Sequence, residues 1–267
     1  MAERPSISCL MVTRPAAGRL EGLKASLRGY VEQTHERREL VVVIDAEAEA
    51  PAATAAKAHI ASLGRDDIRV LEPAGSQTLG ALRNISMANA RGDVLCQWDD
   101  DDLDHPERLE RQLEALVRSG AEGVCLQEVM QFFPAKRSLY CTNWRATEAG
   151  AHPGTLMAWS SSPLAYPEAG ERARLGEDLD VVLQLRRRGA FGVLAGAPHL
   201  YVYVSHGANS WDGEHHRMLA TRLGLSQGLL RRREAALRAG LAPFDFGPGE
   251  VTVQGANGPA FTLGGGA

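Results

Sequence analysis

The stretch GDVLCQWDDDDLDHPERL, residues 92–109, carries the strongest indication of fold and site. A short apolar run ends in four consecutive aspartates, Asp99 to Asp102, with no Lys or Arg beside them. Two unit charges about 4 Å apart repel by roughly 1 kcal/mol in water and by roughly 4 kcal/mol at an effective dielectric constant near 20. Folding alone gains nothing from such a cluster. It is either a solvated acidic loop that caps the next helix or a site that holds a cation.

Short apolar segments alternate with helical patterns before this stretch. Strands are predicted over residues 6–13, 39–45, 68–73 and 93–98, with helices over 18–33, 51–63 and 78–91. This alternation predicts βαβ units and a mostly parallel sheet. Ligands bind at the carboxyl ends of such strands, so the strand ends at Thr13, Asp45 and Asp99 predict one common cleft.

The second half of the chain has a mixed pattern. Strands are predicted over 123–133, 138–145, 155–159 and 199–204, with a hairpin through Pro134, and helices after Pro106, from Glu177 and over 213–239. We expect one α/β domain over residues 1–245. The Gly-rich segment 246–267 is expected to be a loosely attached tail with at most a short edge strand.

Composition excludes several classes of protein. The chain has 267 residues, and its formal net charge of −4 argues against a general binder of nucleic acid or anionic membranes. Its four cysteines are far apart and form no C-x-x-C pair, which disfavours a zinc site and suits a reducing compartment. No run has the length of a membrane span, and the first residues lack the apolar core of a signal peptide. We expect a cytoplasmic protein with no transmembrane segment, in which any peripheral membrane association requires a partner.

The four aspartates divide into two pairs if the backbone is extended. Asp99 and Asp101 then point to one side, and Asp100 and Asp102 to the other. One pair could hold Mg²⁺ or Mn²⁺ together with ligand oxygens. The other pair could brace the loop and cap the following helix.

A second pair of carboxylates, Glu177 and Asp178, stands at the start of a predicted helix. Val181, Val182 and Leu185 follow Asp178 at three, four and seven residues, so Asp178 lies at the N-terminal end of the apolar stripe. An inward carboxylate is unfavourable unless it is paired or opens into a cleft. Asp178 is therefore a candidate general base, and the alternative is that both acids only stabilise the helix dipole.

Polar and aromatic residues elsewhere add to the candidate set. Asp45 is either a turn residue or an acceptor for a nucleobase or ribose. His206 follows a strand and is a candidate metal ligand. Trp211 either packs on the core or stacks on a sugar ring. His215 and His216 are expected at the surface of a helix.

Taken together, these motifs resemble glycosyltransferase family 2, whose fold is GT-A, over roughly residues 5–215. The closest part is TLGALRNISMANARGDVLCQWDDDDLDHPERLERQ, residues 78–112, with Arg83-Asn84, an Arg-Gly-Asp turn and a DXD cluster. The Gly-Glu-Asp at residues 176–178 resembles the family's acceptor-side motif. Two positions depart from the pattern: Val12 stands where a Pro is usual, and Ala46 where a second Asp is common.

The resemblance implies a metal-dependent, inverting transfer of a sugar from a nucleotide-diphosphate sugar, with a UDP-sugar expected. It implies a Rossmann-like, mostly parallel sheet flanked by helices, with a nucleotide-binding half over 5–104 and a mixed acceptor-binding half over 105–245. The implied roles are donor-nucleotide contacts for Thr13, Asp45, Arg83, Asp99 and Asp100, binding of Mn²⁺ or Mg²⁺ by Asp101 and His206, general base catalysis by Asp178, and acceptor or sugar contacts for Glu177 and Trp211.

Two other functions remain open at this point. A sugar-nucleotide nucleotidyltransferase usually has a Gly-rich, basic loop after its first strand, and VTRPAAGRLEG, residues 12–22, has only scattered glycines. A non-catalytic nucleotide-sugar-binding module would not require the base at Asp178. The acceptor could be a saccharide, a lipid carrier, a natural product, a peptide or a modified nucleic acid.

Overall fold

A computed structural model describes residues 4–207, 209 and 212–264 of the chain. Within those ranges the strands are β1 (Ile7–Thr13), β2 (Arg38–Ile44), β3 (Ile68–Leu71), β4 (Val94–Gln97), β5 (Leu103–Asp104), β6 (Gly123–Leu126), β7 (Glu128–Phe133), β8 (Ser138–Asn143), β9 (Met157–Trp159), β10 (Phe191–Leu194), β11 (Tyr201–Val204), β12 (Val251–Gly255) and β13 (Gly258–Leu263). The α-helices are α1 (Leu20–Val31), α2 (Ala50–Ser62), α3 (Leu79–Ala88), α4 (Arg108–Ser119), α5 (Glu177–Arg187), α6 (Gly213–Leu223), α7 (Gln227–Arg232) and α8 (Glu234–Leu241).

The first sheet has the strand order β10-β6-β9-β4-β1-β2-β3 in the described part of the chain. Neighbours among β1 to β4 pair in parallel, as do β6 and β10, and β9 runs antiparallel between β4 and β6. The predicted α/β fold with a mostly parallel sheet is confirmed. The apolar runs of β1 and β2 are buried because helices cover them, and Leu23, Leu27 and Leu116 pack in the same core.

A second sheet has the order β13-β12-β8-β7-β11-β5 within the same ranges. The predicted hairpin is present, since β7 and β8 pair antiparallel. The predicted single strand over 123–133 is divided: β6 belongs to the first sheet and β7 to the second. The predicted helix over 213–239 is also divided. At Gly224 a Cβ atom would lie 2.4 Å from the carbonyl oxygen of Ala220, and the chain bridges to Thr142 there instead of continuing the helix.

The Gly-rich C-terminal segment is not a loose tail up to residue 264. β12 pairs in parallel with β8 and antiparallel with β13, so the segment extends the second sheet. Val251 and Val253 are buried, because the alternation in Val-Thr-Val places both on the core side. Gly255 and Gly258 flank the two-residue turn between β12 and β13, so these glycines mark a hairpin.

Further features of the sequence can be compared with the structure. All four cysteines are buried and free, as a reduced core thiol requires. The three consecutive arginines at 231–233 differ in environment: Arg231 and Arg232 are exposed, whereas Arg233 pairs with the buried Glu128 at 3.1 Å. Across the described residues, the helices lack the combined length and apolar character needed to cross a membrane.

Candidate active site

A cavity of about 650 Å³ opens at the carboxyl ends of β1, β2 and β4. That volume is in the range that holds a small-molecule ligand. Of the predicted site residues, those lining it are Asp45, Arg83, Asp99, Asp100, Asp101, Glu177 and Asp178. Thr13 is buried, and its chain neighbours Val12 and Arg14 line the cavity. Trp211 lies outside the described residues.

The even-numbered aspartates brace the loop. Asp100 accepts hydrogen bonds from the Thr13 hydroxyl at 2.5 Å and from Nη2 of Arg19 at 2.8 Å. Asp102 is buried and accepts from the Tyr201 hydroxyl and, at 2.7 Å, from the backbone N–H of Val204. Thr13 and Asp100, both predicted to contact the nucleotide, are therefore bonded to each other. Residues of β1 and β11 thus hold the loop in place.

Burial raises the pKa of both bracing carboxyls. The pKa of Asp100 rises to about 6 because the group is buried beside the charge of Asp101, with Arg19 opposing the shift. Burial also raises the pKa of Asp102 well above its usual value, with the charges of Asp101 and Asp99 adding to the effect. Ionisation of this pair is therefore unfavourable, and the hydrogen bonds that the two carboxyls accept offset only part of the cost.

The expected capping role of this pair is wrong. Helix α4 begins at Arg108, with Glu107 at its N-cap and no side-chain hydrogen bond at that cap. Asp104, two residues beyond the cluster, instead pairs with Arg108 one helical turn later, and both side chains are fully buried. The four-residue spacing of this pair was a readable signal of an ion pair.

The odd-numbered aspartates, Asp99 and Asp101, have cationic or imidazole neighbours. All four aspartates line the cavity, because the backbone turns at Asp100 and Asp101 instead of staying extended. The predicted separation of the two pairs onto opposite sides is therefore wrong. Oδ1 of Asp99 accepts from Nη2 of Arg83 at 3.0 Å. Oδ2 of Asp101 accepts from Nη2 of Arg19 at 3.1 Å and lies 2.9 Å from Nε2 of His206. Arg19 was not predicted; the only hint is its position shortly after β1, whose end faces the cleft.

Asp101 and His206 are the residues that could hold a divalent cation. A carboxylate oxygen and an imidazole nitrogen within 3 Å of each other suit Mn²⁺ or Mg²⁺. Among the residues that the structure describes, no group of three or more His, Cys, Asp or Glu side chains is arranged to hold a metal. Two protein ligands leave most coordination positions to other oxygens, so the donor set fits a cation that binds together with a diphosphate.

Asp45 is buried at the end of β2 and engaged on both oxygens. Its Oδ2 accepts from Nε and Nη2 of Arg14 at 2.8 and 2.6 Å, and its Oδ1 accepts from the backbone N–H of Glu47 at 2.9 Å. The turn role and the position at the cavity are thus both present. Arg14 is half exposed, so its side chain can leave Asp45 at little cost.

Arg83 links the acidic loop to the start of α5. Its Nε donates to Glu177 at 2.8 Å while Nη2 donates to Asp99. Glu177 is buried and held by this contact. Asp178 is half-buried. Among the hydrogen bonds of the described residues, it accepts only one, from the backbone N–H of Leu179 to Oδ1 at 2.7 Å. The arrangement joins two carboxylates through one guanidinium and leaves Asp178 beside them.

The pKa of Asp178 is raised to about 7. Burial is the main cause, the charges of Glu177 and Asp99 add to it, and Arg83 opposes it. A carboxylate with a pKa near 7 is well matched to accept a proton at neutral pH. The predicted helical stripe is also present, since Val181, Val182 and Leu185 are fully buried. Asp178 thus has the position and the pKa that a general base needs.

Part of the cavity wall is aromatic. His216 is buried rather than exposed as expected, and its ring lies 5.2 Å from that of Tyr203. The His152 ring packs on Trp144 at 4.5 Å and on Tyr203 at 5.3 Å. Burial lowers the pKa of His152 to about 3, with Arg108 adding to the shift, so the ring is neutral. His152 was missed because a single His before Pro-Gly carries no recognisable pattern.

Residues 12–144 match the family model described as Glycosyl transferase family 2. Through this segment, the chain belongs to that family. The match makes the protein a glycosyltransferase and includes the ends of β1, β2 and β4 with the acidic loop. Asp178 and His206 lie beyond the matched segment. No curated protein sequence matches the chain.

Solved structures with the same fold are GT-A glycosyltransferases. S. aureus TarS 1–349 in complex with UDP is 14% identical with a TM-score of 0.59, over 90% of this chain and 70% of that one. A mannosyltransferase, PcManGT from Pyrobaculum calidifontis in complex with GDP-Man and Mn²⁺, is 17% identical with a TM-score of 0.58, over 89% of this chain and 65% of that one. At these identities the likeness establishes the fold.

Proposed function

We propose that the protein transfers a sugar, with inversion, from a nucleoside-diphosphate sugar to an acceptor nucleophile, and that the donor is a UDP-sugar. The observation that carries this proposal is the position of Asp178, a carboxylate with a pKa near 7, in the same cavity as the Asp99–Asp102 loop. Family membership supports glycosyl transfer, and a neighbour with the same fold was solved with UDP.

The donor nucleotide would bind along the strand ends. Asp45 would accept a hydrogen bond from the base once Arg14 turns away from it. Asp99, held by Arg83, would accept from a hydroxyl of the ribose or the sugar. Asp99 is held by the Arg83 side chain and Asp45 by the backbone N–H of Glu47, which lowers the entropy lost on binding.

The diphosphate would lie beside Asp101 and His206, which would hold Mn²⁺ or Mg²⁺. Such an ion offsets the negative charge on the departing diphosphate. Arg19 donates a hydrogen bond to Oδ2 of Asp101, the oxygen that also contacts His206. The Arg19 side chain would therefore have to release Asp101 when a cation binds. Released from the loop, its guanidinium is a suitable partner for a phosphate oxygen.

Asp178 would remove the proton from the acceptor hydroxyl as it attacks the anomeric carbon. One base acting on the face opposite the leaving group gives a single displacement, so an α-linked donor would yield a β-linked product. Its raised pKa makes the proton transfer favourable near neutral pH. A module that only binds nucleotide sugars has no need of this group. A nucleotidyltransferase would be expected to have a Gly-rich phosphate-binding loop after β1, where this chain has only scattered glycines.

The test is a melting experiment with UDP-glucose, UDP-GlcNAc and GDP-mannose, each with and without Mn²⁺. Ligand at a hundredfold its Kd should raise the Tm by about 5–10 °C, through mass action on the folded state. The shift should need Mn²⁺ and disappear in Asp101→Ala. Asp66→Ala, which changes an exposed aspartate away from the cavity, is the matched control and should behave as wild type. No shift for any donor in the wild-type protein would contradict the proposal.

A further inference from the structure

Nδ1 of His152, a residue that lines the cavity and is 6% exposed, has no hydrogen-bond partner among the residues that the structure describes. A buried nitrogen without a hydrogen bond is unfavourable, because folding has removed it from water without replacing the bond. In the wall of a cavity, such an atom is available to a bound ligand.

Glycine 154 keeps the space beside this atom open. A Cβ atom placed on Gly154 would lie 3.4 Å from Nδ1 of His152 and 3.3 Å from Oδ2 of Asp99. The two side chains therefore face a common gap over the backbone of residue 154, and all three residues line the cavity. The φ of Gly154 is not positive, so the backbone conformation does not demand glycine there. The two side chains do favour glycine, since a Cβ atom would be in tight contact with both.

The two groups that border the gap are chemically complementary to a hydroxyl. The Asp99 carboxylate only accepts hydrogen bonds. The His152 ring is neutral and can donate from Nδ1 in the matching tautomer. A hydroxyl donates one hydrogen bond and accepts others, so a single hydroxyl oxygen in the gap would satisfy both side chains. A phosphate oxygen would not, since it would lie against the charge of Asp99.

We propose that Asp99, His152 and Gly154 form the subsite that recognises a hydroxyl group of the donor sugar. The inference rests on the proposed function, since it places the sugar of a nucleotide sugar between the loop that follows β4 and the start of α5. The position is suitable because the charge of Asp99 also acts on Asp178, so the gap lies close to the general base. His152 is then a determinant of donor-sugar specificity, and the rings of Trp144 and Tyr203 hold it in place.

The experiment measures, by calorimetry, the affinity for UDP and for UDP-glucose, UDP-GlcNAc and GDP-mannose, with GDP for the last. The variants are Gly154→Ala, which fills the gap, and His152→Phe, which keeps a planar ring without nitrogen atoms. His152→Asn keeps a polar atom near the place of Nδ1. Gly228→Ala is the matched control, because a Cβ there meets nothing within 4 Å.

The informative quantity is the ratio of nucleotide-sugar affinity to free-nucleotide affinity. Gly154→Ala, which displaces the hydroxyl from Asp99, should lower this ratio about tenfold or more, the loss expected for a hydrogen bond to a charged group. His152→Phe, which removes a bond from a neutral ring, should lower it about three- to tenfold. His152→Asn should retain most of the ratio, and Gly228→Ala all of it. If His152→Phe does not fold, Gly154→Ala carries the test alone.

Two results would overturn the inference. An unchanged ratio in Gly154→Ala would mean that the gap does not receive the sugar. Equal losses for nucleotide and nucleotide sugar would mean that His152 and Gly154 only support the shape of the cavity. A wild-type protein that binds neither nucleotide nor nucleotide sugar would instead contradict the proposed function, so the two failures are distinguishable.

Discussion

The acidic loop at Asp99–Asp102 and the acidic start of α5 carry a similar density of negative charge, but the fold treats them differently. Each aspartate of the loop has a side-chain donor from another part of the chain, such as Arg19 for Asp100. At the start of α5, Arg83 pairs with Glu177, and Asp178 beside it has a pKa of about 7. The two regions differ in how their carboxylates are partnered: side chains from distant parts of the chain hold the loop, whereas Asp178 accepts only from a backbone N–H among the hydrogen bonds of the described residues.

The largest effect should follow from Asp178→Asn. If Asp178 is the base, the transfer rate should fall by about 10²–10⁴-fold, which is the usual contribution of general base catalysis. Nucleotide-sugar affinity should change less than about threefold, because the amide keeps the shape of the side chain. Product formation and calorimetric titration measure the two quantities.

The control for this variant is Asp180→Asn. Asp180 lies on the same helix but pairs with the exposed Arg172 at 2.7 Å and does not line the cavity. Its rate should match wild type. Equal rate losses in both variants would show that any lost charge at the start of α5 disturbs the site, and the contrast between the two acidic regions would disappear.

Arg83→Met should give the largest loss of stability. It leaves Glu177 buried without its cation and removes the partner of Asp99, which should lower the free energy of unfolding by about 3–5 kcal/mol. Urea denaturation at pH 8 measures this. Arg172→Met, which removes an exposed pair, should cost less than about 1 kcal/mol. Adding Glu177→Gln to Arg83→Met should recover part of the loss, and no recovery would mean that the Glu177 charge is not the cause.

Arg19→Met should lower the free energy of unfolding by about 1–3 kcal/mol at pH 8, because Asp100 and Asp101 lose a charged donor. The pKa of Asp100 is about 6, so at pH 5 this carboxyl is largely protonated even with Arg19 present. The cost of the substitution should therefore be smaller at pH 5 than at pH 8. A cost that is independent of pH would indicate that Arg19 acts through packing alone.

The smallest effect concerns the stability of Asp178→Asn. A carboxyl whose pKa rises on folding stabilises the protein less and less as pH rises from 3.8, its ordinary value, to about 7. At pH 8 the Asn variant should therefore be more stable than wild type, by on the order of 1 kcal/mol given the partial exposure of the side chain. At pH 4 the difference should vanish. A variant that is less stable than wild type at pH 8 would argue against a strained carboxylate.

Much of this arrangement was predictable from residue spacing. The division of the four aspartates into two sides was wrong, because it assumed an extended backbone and the chain turns at Asp100 and Asp101. The apolar runs, however, placed Asp45 and Asp99 at one cleft, and a helical period placed Asp178 at the N-terminal end of an apolar stripe. These patterns are local, so they can be read without tertiary information. The same holds for the parallel strands of the first sheet, whose apolar runs are continuous.

The remaining features depend on contacts between distant residues. Arg19 meets the loop across some eighty positions of sequence, and His152 gains its role only because Gly154 and Asp99 lie beside it. The division of residues 123–133 between two sheets is decided by strand pairing, of β6 with β9 and β10 and of β7 with β8 and β11. The prediction of a loose tail at the Gly-rich end was wrong, because glycine is common both in turns and in disordered segments. Only the pairing of β12 with β8 distinguishes the two.

The anchoring of Asp102 by β11 has a consequence for synthesis on the ribosome. The acidic loop is made about one hundred residues before Tyr201 and Val204, the two partners that fix it from below. At roughly 5–20 residues per second, about 5–20 s pass between the two events. During that interval the parallel strands β1 to β4 can already pair, while Asp102 still lacks its partners from β11. The nascent chain thus forms the parallel part of the first sheet before the acidic loop is fixed.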